Sequence, residues 1–187
     1  MKKLTFAIIA VLGFGFGASA QVDNTDDHTV TVVVPEVALL DIETTGASTN
    51  FSLMFSAPTE EGLGLTAPPS NTTTWLNYSS IVKPTTVAAD RDISVKASAL
   101  VPGVDIKVLA AAGIMTTGAG LAGTPTAQVT LTVANLPIIT GVKSCFTGNG
   151  NTAGHMVTYD ASVSSFAALV SNGAGAAVIV TYTLADN

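Results

Sequence analysis

Cysteine, histidine and positive charge are all scarce in this chain, and each shortage closes off a class of function. Cys145 is the single cysteine among 187 residues, so no disulfide can form within the chain. A lone thiol reads as a small buried hydrophobe, because free cysteine is among the most buried residue types. His28 and His155 are the only histidines. Neither lies in a HExxH motif or a paired-ligand spacing, so a zinc centre has no support and no cofactor is expected. A GxSxG nucleophile motif is absent, leaving Cys145 with His155, across a Gly/Asn turn, as the one conceivable nucleophile–base pair. His155 at the start of a strand reads more simply as a satisfied surface residue. Glu60-Glu61 falls in a Pro/Gly-rich loop, where adjacent acids mean solvation, and Asp90 and Asp92 flanking Arg91 read as surface charge. No constellation supports an enzyme.

Charge is thin as well, with charged residues making up 11% of the chain. Residues 1–20, MKKLTFAIIAVLGFGFGASA, read as a secretory signal peptide: a Lys2-Lys3 n-region, an apolar core and an Ala18-Ser19-Ala20 cleavage site. The segment is too short and wrongly flanked for a membrane span, and none is expected once it is removed. Cleavage before Gln21 leaves 167 of the 187 residues, enough for one domain. It also leaves five basic residues, Lys83, Arg91, Lys96, Lys107 and Lys143, against 13 acidic ones. Scattered cations on an acidic chain exclude a phosphate-binding surface and hence nucleic acid. They also argue against docking on anionic lipid.

Runs of helix-forming residues at (i, i+4) spacing are missing; Thr, Ala, Val, Gly and Ser fill the chain instead. Such residues suit pleated, half-buried surfaces and tight turns, which makes the chain all-β. Strands are expected at residues 37–43, 50–55, 75–82, 92–99, 104–108, 128–133, 155–163 and 176–184, with a shorter edge segment at 137–142. Residues 92–99 and 104–108, joined by Pro102-Gly103, read as a hairpin, and residues 57–73 as a long surface loop. The glycine-rich stretch 113–125 lacks the strand-before, helix-after setting of a phosphate loop. Eight or nine short strands without a repeat or a second domain point to an immunoglobulin-like or jelly-roll β-sandwich.

What the chain does have, directly behind the leader, is HTVTVVVPEVALLDI at residues 28–42. Val30, Val32, Val34, Leu40 and Ile42 share one parity, interrupted at Glu36 just after Pro35. Fifteen extended residues span about 50 Å, longer than one strand of a small sandwich requires. The economical division is an extension at residues 21–35 and a sandwich domain at 36–187, whose first strand is 37–43. The extension either folds back as an edge strand or fills a groove in a neighbouring copy. Burying the five apolar residues contributes on the order of 8–15 kcal/mol, comparable with a whole domain's stability. A strand supplied in trans thus has the means to decide whether the fold survives.

TVTVVVPEVALLDI behind a signal peptide resembles the N-terminus of the major pilins of colonisation-factor (alpha-type) fimbriae. There a Thr/Val-rich donor strand precedes a Pro and an apolar segment containing Leu-Leu. The lack of a disulfide pair and the Tyr-Thr-Leu near the C-terminus also fit. The resemblance implies Val30, Val32 and Val34 as donor residues and a homopolymer forming an extracellular surface fibre. It further implies a periplasmic chaperone and an outer-membrane assembly protein as partners. The competing expectation is a secreted monomeric sandwich that binds a glycan or a protein, with Trp75 and Tyr78 as its platform.

Overall fold

The computed structural model describes residues 25–84 and 89–187. The expected leader and its cleavage site, residues 1–21, lie outside the described residues. Contacts divide the chain into two units, Met1–Val33 and Val34–Asn187. In the first, residues 25–33 join no strand, and Val30, Val32 and Val33 are exposed.

The second unit is an all-β sandwich. Its strands are β1 (Val37–Thr44), β2 (Asn71–Ile81), β3 (Arg91–Ala97), β4 (Val104–Ala110), β5 (Ala119–Gly120), β6 (Thr124–Pro125), β7 (Val129–Thr130), β8 (Leu136–Val142), β9 (Cys145–Phe146), β10 (His155–Val163) and β11 (Val180–Asp186). One antiparallel sheet runs β1–β2–β10–β4–β7, with β9 pairing Ser79 and Ser80 of β2 and β5 lying beyond β9. The other runs β11–β3–β8–β6. Among the described residues no helix is long and apolar enough to cross a membrane.

Period-two alternation puts one stripe of each strand into the space between the sheets. Leu76, Ile93, Val95, Val108, Ile139, Val142 and Val157 are fully buried there. On β3 the odd residues Arg91, Ile93, Val95 and Ala97 are buried while Lys96 is exposed. That is the alternation expected from the sequence.

Several expectations need correction. The hairpin between residues 92–99 and 104–108 does not form: β3 pairs with β11 and β8, β4 with β10 and β7. Alternation specifies which face of a strand is apolar, not which strand it meets. The turn between them crosses from one sheet to the other. Its Gly103 has φ +74°, and a Cβ there would lie 2.5 Å from the Ser165 carbonyl oxygen. Residues 50–55 join no ladder; only Ser56 bridges, to Thr66, while Leu53 packs on the core and Phe51 meets Tyr159 edge-on at 4.9 Å. Within 128–133 only β7 pairs as a strand, because the segment changes sheets. The Leu131 N–H donates to Ile106 O, and Thr132 O accepts from the Ala97 N–H, both at 2.8 Å. The expected edge segment at 137–142 is β8, an inner strand, with Pro137 sitting at a register shift against Ser94 where no ladder N–H is required. The glycine-rich stretch serves close backbone packing: Gly120, at φ +91°, lies against Ser144 O too closely for a Cβ.

Candidate functional site

The sandwich has an open seam. β1 is bonded on one side, to β2, and β11 on one side, to β3; among the described residues no strand pairs with the other edge of either. The two strands belong to opposite sheets and approach each other across the sandwich. Their inward stripes, Leu40 and Ile42 on β1 and Val180, Tyr182 and Leu184 on β11, pack against the core but stay only partly buried. The inner strands differ, since Ile93, Val95 and Val157 are 0% exposed. Phe51 supplies cover part-way along, against Tyr159, whose hydroxyl meets that of Tyr182. Burial pushes the Tyr159 phenol up to about 12 and raises Tyr182 as well, so both remain protonated.

One end of the seam is tied by Arg91, which is 2% exposed. Its Nη2 donates to Glu36 Oε1 and its Nε to Asp186 Oδ1, both at 2.6 Å. Nη1 donates to Val37 O, to Ser80 Oγ at 3.1 Å and to Ile81 O at 3.4 Å. A planar guanidinium with five donors suits such a junction. It joins the root of β1, the end of β2 and the end of β11. Asp90 and Asp92, expected as surface charge, stay half-exposed, but Arg91 between them does not. Arg91 has the parity of Ile93 and Val95 and lies inside with them.

The five apolar residues that share one parity in residues 28–42 lie in two different settings. Val30, Val32 and Val34 are 72%, 80% and 68% exposed. Leu40 and Ile42 lie in β1 opposite Tyr78 and Leu76 of the same chain and belong to its own core wall. The division falls at Pro35-Glu36, where Arg91 holds Glu36. Trp75 and Tyr78, the expected ligand platform, are 8% and 4% exposed, so neither ring offers a face. Trp75 stands between Glu43 of β1 and Met156 of β10, and the Tyr78 hydroxyl meets Ala122 O and His155.

His155 is fully buried rather than on the surface. Its Nδ1 meets Ala111 O and its Nε2 the Tyr78 hydroxyl, both at 2.8 Å, with the two rings stacked. Burial lowers its pKa, with the carbonyls of Ala111 and Ala122 opposing the shift. Cys145 is buried, and desolvation pushes its thiol up, away from the thiolate a nucleophile requires. With both imidazole nitrogens engaged elsewhere, the Cys145–His155 pairing weighed from the sequence does not form. The clue missed was parity: His155 shares the buried face of Val157 and Tyr159. Comparison with family models, curated proteins and solved structures returns no match.

Proposed function

We propose that the chain is a structural subunit of an extracellular surface fibre, in which residues 28–34 of one copy fill the seam between β1 and β11 of the next. The observation that carries this reading is the pair of one-sided edge strands with half-open apolar stripes. A ribbon of seven residues matches the seven residues of β11 and reaches about 23 Å at 3.3 Å each. Its alternate valines suit alternate inward positions, and its main chain suits the unpaired edges, as in strand addition generally. Covering three valines contributes roughly 5–9 kcal/mol before the cost of association. Such a contact is heterologous and does not close on itself, so it propagates as a filament.

A subunit with an open seam also exposes edges that invite aggregation, which is why a periplasmic chaperone and an outer-membrane assembly protein belong to this reading. The reading includes no catalytic step. Electron microscopy of surface material from cells expressing the chain, with and without residues 21–35, tests it. Fibres with the whole chain and none with the deletion are expected; fibres from the deleted chain would overturn the proposal.

A further inference from the structure

The outer face of the first sheet, opposite the side that Leu40, Ile42, Leu76 and Tyr78 turn to the core, holds an open cleft of about 600 Å³. That lies within the roughly 300–1,000 Å³ of small-ligand sites. Strand register builds it. Leu39 stands opposite Ser79, Ser79 opposite Phe146, and Asp41 opposite Asn77, so two cross-strand rows share one face. Asn149 adds an amide at the rim.

We propose that this cleft binds a neutral saccharide. Leu39 is 67% and Phe146 47% exposed, so an aliphatic chain and an aromatic ring stand open beside polar groups. A ring face with its negative quadrupole suits the C–H side of a sugar, and the surrounding oxygens suit its hydroxyls. Asn77 provides the second, independent pointer. Its side chain is 4% exposed and lines the cleft, donating Nδ2 to Ala153 O at 2.8 Å and leaving Oδ1 without a partner. A buried acceptor left unpaired costs about 1–3 kcal/mol, and a turn of the side chain toward the cleft it lines would give it a ligand hydroxyl as donor. Charge selects the class. Asp41, its Oδ1 held by the Ile42 N–H at 2.8 Å, is the acidic group of the lining, and no Lys or Arg is among the lining residues. Phosphorylated, sulfated or sialylated ligands are thereby disfavoured.

Leu40 and Tyr78 also border the cleft, but parity sets its outward side chains Leu39 and Asp41 apart from the inward seam stripe of Leu40 and Ile42. The inference does not rest on the fibre proposal. Saturation-transfer NMR on the full chain, which works for monomer and filament alike, tests it with maltotriose, cellotriose, mannotriose and chitotriose, and with sialyllactose as the anionic control. Transfer to at least one neutral trisaccharide is expected, with about tenfold weaker binding in both Phe146→Ala and Asp41→Ala. Leu63→Ala, in an exposed loop, should bind as the unaltered chain does. Circular dichroism checks that the variants fold, and both cleft variants should still form whatever assemblies the unaltered chain forms. Absence of transfer to all four neutral sugars, preference for sialyllactose, or undiminished binding in folded Phe146→Ala and Asp41→Ala would each overturn the proposal.

Discussion

At the residue scale, the buried polar side chains His155 and Arg91 answer to different changes. His155 holds its Nδ1–H against Ala111 O and its Nε2 beside the Tyr78 hydroxyl, which itself donates to Ala122 O, and burial holds its folded pKa below the ordinary 6.5. The native state then binds fewer protons than the unfolded one in the window just below pH 6.5. Stability is full above that pH and drains away as pH falls through it. The urea midpoint should drop between about pH 7.5 and about pH 5.5, and this drop should shrink in His155→Gln. Arg91 is a different case, because Glu36 and Asp186 keep side chains 46% and 71% exposed and recover water when the guanidinium is lost. Arg91→Met therefore costs about 1–3 kcal/mol, chiefly through the Ser80, Val37 and Ile81 acceptors, read by chemical denaturation. Both burials were legible in the alternation. Arg91 keeps step with Ile93 and Val95, and His155 with Val157 and Tyr159; what misled was residue type, since charge and imidazole are usually found outside.

At the element scale, the extension and β1 carry the same apolar parity yet answer differently to mutation. Val32 is 80% exposed, so Val32→Asp should leave the domain's denaturation midpoint within about 0.5 kcal/mol of the parent while abolishing filaments. Leu40 packs on the core from a half-open position, so Leu40→Ala should cost about 1–2 kcal/mol of domain stability, below the range for fully enclosed leucines. Paired unfolding and electron-microscopy measurements on the two variants separate these effects. Most long strands could be located from alternation, as β1, β3, β10 and β11 illustrate. Their partners could not be. Whether β3 turns back on β4 or crosses to the facing sheet depends on Gly103 packing beneath residues 165–169, a contact far away in sequence. Residues 50–55 alternate like a strand but find no neighbouring edge, and pattern alone cannot supply one.

At the scale of the whole molecule, the fibre proposal treats the seam bordered by two one-sided strands and the exposed valine ribbon as complementary parts. Deleting residues 21–35 should leave a domain whose melting temperature rises by several degrees on adding a peptide of residues 28–34, a gain of about 1 kcal/mol being worth roughly 2–4 °C at this size. The seam itself was not legible beforehand. It depends on which two strands end up at the sheet edges, a property of the assembled topology. The most direct test mixes two chains, both carrying Cys145→Ala. One bears Val32→Cys; the other bears a cysteine at Val180, Tyr182 or Leu184. Strand exchange between copies predicts a disulfide-linked heterodimer of the two chains for at least one β11 position under mild oxidation. If mixing yields none, while a single chain carrying both cysteines closes on itself as a monomer, the ribbon pairs within its own chain and assembly through the seam is contradicted.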